Sequence, residues 1–133
     1  MAIVRSIVGI VAGLLVITLI AEGIEFALVS ALNGGVETDQ ERYFAIRNQT
    51  GVLIAKLFYN SLAAFAGGYA AARVAGRAAL YHGIALAAIQ TATFVWGMTL
   101  SEFAGTTPLW AWLALTVLMI AFIVLGARMQ EKE

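Results

Sequence analysis

A bundle of four membrane-spanning helices is the fold class this sequence predicts, and three observations carry it. Between Arg77 and Arg128 the chain holds one charged residue, Glu102, which separates an uncharged run of 24 residues (Ala78 to Ser101) from another of 25 (Phe103 to Ala127). At about 1.5 Å per residue, a hydrocarbon core about 30 Å thick needs about 20 apolar residues, so each run can cross with some tilt. The composition agrees: 62% hydrophobic against 12% charged, with a mean hydropathy of +0.89, far from the roughly 25% charged of soluble domains. A soluble core is thereby excluded. Lipid offers no partner to an unpaired backbone amide, so such segments cross only as helices.

The first span is expected over about 6–32, because Ser6 to Ala21 is uncharged and apolar character resumes around Glu22 and Glu25. Arg5, an apolar stretch and Val29, Ser30, Ala31 superficially resemble a cleaved signal peptide, but the apolar region is too long and two glutamates interrupt it. Asn33, Gly34 and Gly35 end this helix and open an outer loop over 33–50. Within it Thr38 and Glu41 have capping-box spacing. The stretch to about Asn48 reads equally as a surface helix, with Tyr43, Phe44 and Ile46 suited to the headgroup zone, or as an irregular loop. The second span, about 51–74, has Leu57 to Ala72 uncharged between Lys56 and Arg73. The third covers about 81–101. The fourth, about 108–127, has Pro108 in its first turn and Trp110 and Trp112 at the outer interface. These four spans and their loops use nearly all of 1–133, so a single transmembrane domain is expected. Arg5, Arg73, Arg77, Arg128 and Lys132 fall on one side, against Arg42 and Arg47 on the other. The positive-inside rule therefore puts both termini in the cytoplasm of a cell bounded by this membrane, expected to be a bacterial inner membrane.

Charged and amide side chains inside the spans are the most informative chemistry. Glu22 and Glu25 project from nearly one face of the first helix, and Lys56 and Asn60 from one face of the second. Counted inward from Leu32 and Gly51, Glu25 and Lys56 lie about 8–10 Å deep, with Glu22 and Asn60 at about 13–15 Å. Antiparallel neighbours would pair Glu25 with Lys56 and Glu22 with Asn60. An unpaired carboxylate at that depth costs several kcal/mol or takes up a proton. Two roles compete for this cluster. Either Glu22 is a protonatable group or cation ligand, helped by Gln90 and Thr93 on the third helix, or all six residues are hydrogen-bonded glue.

Small residues mark helix contacts. Ala63, Gly67, Ala71 and Ala75 recur every four residues on the second span, beside a ridge of Ala64, Gly68, Ala72 and Gly76, so this helix should be central. Gly83, Gln90, Gly97 and Ser101 put one face of the third span inward. Gly9 and Gly13 form a GxxxG roughly opposite Glu22 and Glu25, which leaves them for the fourth helix or another subunit. The fourth helix, with Trp110, Trp112, Met119 and Phe122, reads as peripheral and lipid-facing.

Other chemistry is thin. Zero net charge and scattered basic residues argue against nucleic acid. Without cysteine there is no disulfide or thiolate nucleophile, and a lone His82 beside Tyr81 rules out a multi-histidine metal site and bis-histidine haem. His82 reads as a headgroup or backbone contact. Ser6, Ser30, Ser61 and Ser101 have no histidine expected at similar depth, so no catalytic triad assembles. The string GGYAAARVAGR, Gly67 to Arg77, lacks the spacing and terminal lysine of a phosphate loop, and close helix packing accounts for it better.

That string also carries a resemblance. The chain is similar to a widespread group of small bacterial four-helix membrane proteins of uncharacterised function. The likeness lies in Ala12 to Leu14 followed by Glu22, in Gly67 to Arg77, in His82 opening the third helix, in Pro108 to Trp110, and in Leu125 to Arg128. It departs from that pattern in an outer loop that is not proline-rich and in Glu25 where a histidine is usual. The resemblance implies topology and no activity. The expectation is a non-catalytic membrane component, free of cofactor and metal, whose partners are lipid and either copies of itself or a larger membrane complex. The alternative is a small proton- or cation-coupled transporter or channel using Glu22.

Overall fold

The computed structural model describes residues 2–99 and 107–131, and all regular structure among them is helical. It comprises α1 (Ala2–Asn33), α2 (Gln40–Arg47), α3 (Thr50–Ala75), α4 (Ala79–Thr99) and α5 (Leu109–Glu131). Four of these, α1, α3, α4 and α5, are long and apolar enough to cross a membrane. The ends move outward from the sequence expectation. Helix α1 starts before Arg5 and α5 runs on through Met129 and Gln130, because nothing in either stretch breaks a helix. The expected end of the third span at Ser101, and with it Glu102, lies outside the described residues.

The outer segment does form a helix. Its cap is Asp39, whose Oδ1 accepts the Glu41 amide at 3.1 Å, and not the Thr38–Glu41 box. Asp39 is held in turn by Glu37, whose Oε1 accepts the Asp39 amide at 3.0 Å. Those bonds, with Arg42 beside it, hold the Glu37 carboxyl below the usual range. At the other end of the bundle, Gly76 terminates α3 with φ 71, a left-handed conformation that glycine adopts without a steric penalty, and its N–H donates to the Ala72 carbonyl at 3.0 Å.

Helix α3 is central. It touches every other helix, and α1 and α5 flank it without touching each other among the described residues. Helix α4 closes against α5 and α3 and only lightly against α1. The interior is built from small residues: Ala63, Ala64, Ala71 and Ala72 are fully covered, while Leu19, Phe58, Leu62, Trp96 and Val117 point outward. That inversion suits a lipid environment, where burial gains no hydrophobic free energy and close backbone approach supplies the attraction.

Two packing expectations are corrected. Gly9 and Gly13 do not face away from the glutamate side toward α5 or another subunit. A Cβ on Gly9 would meet the Ala71 carbonyl at 2.7 Å, and one on Gly13 the Gly67 carbonyl at 2.9 Å, so both pack on α3. The reason is a period of four: Gly9, Gly13, Ile17, Ala21, Glu25 and Val29 are all buried, a stripe that winds around α1 and stays on a partner winding with it. Nor is α5 peripheral. A Cβ on Gly68 would collide with the Ile123 carbonyl, and one on Gly126 with the Phe65 carbonyl. Ala111, Leu115, Met119, Ile123 and Ala127 form its buried stripe, again every four residues. Trp112 is half-buried, edge-on to Phe94 at 5.9 Å, and Trp110 is exposed.

Candidate functional site

One oxygen organises the α2 end of the bundle. Glu25, on the inward stripe of α1, is 1% exposed. Its Oε1 accepts from Lys56 Nζ at 2.6 Å and from the Tyr59 hydroxyl at 3.4 Å, both on α3. Arg47, the last residue of α2, brings Nε to 3.1 Å from the same atom. The 2.6 Å contact is as short as charge-assisted hydrogen bonds become. Three helices are thus tied at a single carboxylate. Two cations, Lys56 and Arg47, face the one Glu25 carboxylate, which is what allows it to sit out of water.

The remaining predicted residues are placed differently. Glu22 is exposed on the outer surface of α1, not between helices. Asn60 is buried, but its amide donates to the Lys56 carbonyl of its own helix at 3.1 Å, so the Glu22–Asn60 pairing is replaced by a local bond. Gln90 is buried on α4, while Thr93 is exposed and returns its hydroxyl to Ile89 at 3.0 Å. Gln90 lies 11 residues into α4, about 16 Å from its start, whereas Glu22 is 17 residues beyond Arg5, about 25 Å. They occupy different layers. The packing residues Ala63, Gly67, Gly68 and Ala71 are all buried on α3.

Arg47 and Tyr59 belong to the clasp without having been singled out from the sequence. Arg47 lies in the outer segment, where its basic charge was counted for orientation alone. Tyr59 follows Lys56 by three residues on α3, a spacing that would have flagged it. Tyr43 of α2 also leans on this cluster. Burial first, then the Glu25 and Glu22 carboxylates, push its phenol up to about 12. A further tie, from Thr107 Oγ1 to Asn48 Oδ1 at 2.8 Å, fixes the approach to α5 against the end of α2.

A second polar group lies at the opposite end, where His82 makes the backbone contact expected of it, to the Ala78 carbonyl, and a serine contact that was not expected. Ser6 Oγ is 2.9 Å from His82 Nε2, and Arg77 Nη2 donates to Ser6 Oγ at 3.2 Å. The two residues lie 76 positions apart and meet because the first turns of α1 and of α4 are at the same end of the bundle. This overturns the expectation that no serine has a histidine nearby. It still makes no triad: His82 Nδ1 lies 2.9 Å from the Ala78 carbonyl, where a triad places a carboxylate. Ser6 also sits inside a helix, whose amides are committed to the helical ladder and cannot form an oxyanion hole.

Among the described residues no three histidine or acidic side chains gather as a metal site. In comparisons with known proteins, no family model, curated protein or solved structure matches the chain.

Proposed function

We propose that this chain is a non-catalytic, four-span membrane component with both termini in the cytoplasm, acting in a homo-oligomer or a larger membrane complex. The observation that carries the reading is Glu25, sequestered at 1% exposure and bound by Lys56, Arg47 and Tyr59. A transport carboxylate must exchange its partner with a passing ion. This one is committed to two cations that hold three helices, and among the described residues the buried α1–α3 contact beneath it is the apolar Ala21, Ile17, Ala63 and Gly67.

The spacing of the two charged layers supports the placement in a bilayer. Arg5 Nε donates to the Val74 carbonyl at 3.3 Å, which sets a common level on α1 and α3. From there Glu25 is 20 residues along α1 and Lys56 is 18 along α3, about 30 and 27 Å. A hydrocarbon core is about 30 Å thick, so the clasp lies at one boundary and the arginines at the other. This revises the depth counted from the helix ends: α1 extends past the core by about eight residues beyond Glu25, about 12 Å. Glu22, one turn below the boundary, reaches the interface by bending toward it or is covered by a partner. An accessory or oligomeric role accounts for its exposure better than a transport path on the lipid face.

Two measurements test the reading. Because the sequence has no cysteine, single cysteines at Asp39, Ala79 and Gln130 report sidedness without background, and reagent applied outside should reach Asp39 alone. Single cysteines at Leu19 and Phe26, flanking Glu22 on the exposed surface of α1, should cross-link two chains, or this chain to a neighbour, in native membranes. External labelling of Ala79 would overturn the orientation, and uncross-linked chains at both α1 positions would overturn the partner.

A further inference from the structure

Between α1 and α4, which touch only lightly, runs an open groove of 490 Å³, walled by Ile7, Ile10, Val11 and Leu14 of α1 and by Ala85 and Ile89 of α4. Its size falls within the about 300–1,000 Å³ of small-ligand pockets. One end is polar. His82 and Ser6 line it there, and their hydrogen bonds have a fixed order. A carbonyl only accepts, so Nδ1 of His82 donates to Ala78, Nε2 faces the Ser6 hydroxyl at 2.9 Å, and the Ser6 oxygen accepts from Arg77. Arg5 turns away from the groove, its Nε on the Val74 carbonyl at 3.3 Å and its guanidinium over Gly76. Arg77, tied to the groove through Ser6, is exposed, and among the described residues it has no carboxylate at ion-pair distance. Tyr81, 75% exposed, stands at the same end.

We propose that this groove binds one anionic phospholipid, with an acyl chain along the apolar walls and the phosphate on Arg77 beside Ser6. Charge complementarity selects the occupant. The site is apolar along its length, with one unpaired cation at its end held by Ser6, matching an amphiphile with one negative end. A zwitterionic headgroup brings its own cation against Arg77, an apolar helix from a second copy leaves it without a counter-charge, and free phosphate leaves the walls empty.

The test uses the full chain in mild detergent, titrated with phosphatidylglycerol, with phosphatidylcholine of the same acyl chains and with inorganic phosphate, and read by native mass spectrometry and thermal stability. Phosphatidylglycerol should bind as a single retained molecule and raise the melting temperature, with phosphatidylcholine weaker and phosphate without effect. Arg77→Gln should weaken phosphatidylglycerol roughly fivefold and leave phosphatidylcholine unchanged. Arg128→Gln, an exposed arginine on α5, should change neither. Ala85→Phe, which fills the groove, should lower both, and Val11→Trp serves the same purpose from α1 should the first variant fail to fold. Equal binding of the two lipids, an equal loss in Arg128→Gln, or undiminished binding in the groove-filled variant overturns the proposal. So does a fall in particle mass on filling the groove, which would assign it to a second copy of the chain.

Discussion

Replacing Lys56 with methionine removes the shortest of three contacts to Glu25 Oε1, yet it does not orphan the carboxylate, because Arg47 Nε remains at 3.1 Å and the Tyr59 hydroxyl at 3.4 Å. The expected loss is therefore that of one charge-assisted hydrogen bond, about 1.5 kcal/mol once methionine occupies the space of the lysine stem. Arg47→Gln should cost less, about 0.5–1 kcal/mol, since its side chain is 17% exposed against 8% for Lys56 and water screens it more. Removing both leaves a carboxylate at 1% exposure with a phenol as its remaining partner. That costs about 4 kcal/mol, within the range for an uncompensated buried charge. The double variant should thus exceed the sum of the singles by about 1.5–2 kcal/mol, and adding Glu25→Gln should recover about half of the total. The assay is equilibrium unfolding in mixed micelles with SDS, followed by fluorescence of the three tryptophans. Strict additivity of Lys56→Met and Arg47→Gln would refute the shared carboxylate, and so would a failure of Glu25→Gln to recover any stability.

Three other outcomes follow from particular contacts. Gly126→Val places bulk against the Phe65 backbone, which cannot rotate aside as a side chain could, so α5 must shift and stability should fall by about 1–3 kcal/mol in the same unfolding assay. Ala78→Gly should stabilise by about 0.5 kcal/mol: Ala78 has φ 46, a left-handed conformation costing about 1–2 kcal/mol, partly offset by the greater freedom of glycine in the unfolded chain; unchanged or lower stability would show that the turn is unstrained. The Tyr43 phenol is raised to about 12 from an ordinary 10, so the stability it contributes is whole below pH 10 and is lost as pH rises toward 12. An ultraviolet phenolate titration comparing the intact chain with Tyr43→Phe should show the missing transition in that window, and a difference centred at pH 10 would mean that α2 does not rest on the Glu25 cluster.

Spans were legible because charge is forbidden in hydrocarbon, which makes uncharged runs of membrane length nearly unambiguous. The centrality of α3 was legible in Ala63, Gly67, Ala71 and the parallel ridge through Gly68, since small residues at helix spacing have few other uses in lipid. Lys56 and Glu25 could be matched because each needed an opposite charge at its level. The Gly9–Gly13 face was misread for a geometric reason: rotation by 100° per residue on a straight, isolated helix puts Gly9 far round from Glu25, but a winding partner follows residues every four and meets both. The same winding hid α5, whose inward stripe from Ala111 to Ala127 is apolar and so indistinguishable in composition from its lipid face. Arg47 could not be assigned because its contact depends on where α2 folds back, and Ser6–His82 because 76 residues, with α2 and α3 between them, separate the two in sequence. Asn60 exposes a further limit: an amide can satisfy itself on the carbonyl of its own preceding turn, so a polar residue at matching depth need not reach across.

Ion flux through reconstituted vesicles tests the central claim most directly. With the chain in liposomes of defined internal pH, imposed proton and cation gradients should decay no faster than in protein-free vesicles. Glu22→Gln and Glu25→Gln should leave that decay unchanged, the first folded as the parent and the second altered in stability alone. A pH-dependent leak that requires the chain and disappears in Glu22→Gln would contradict the account and make the exposed glutamate of α1 a coupling group.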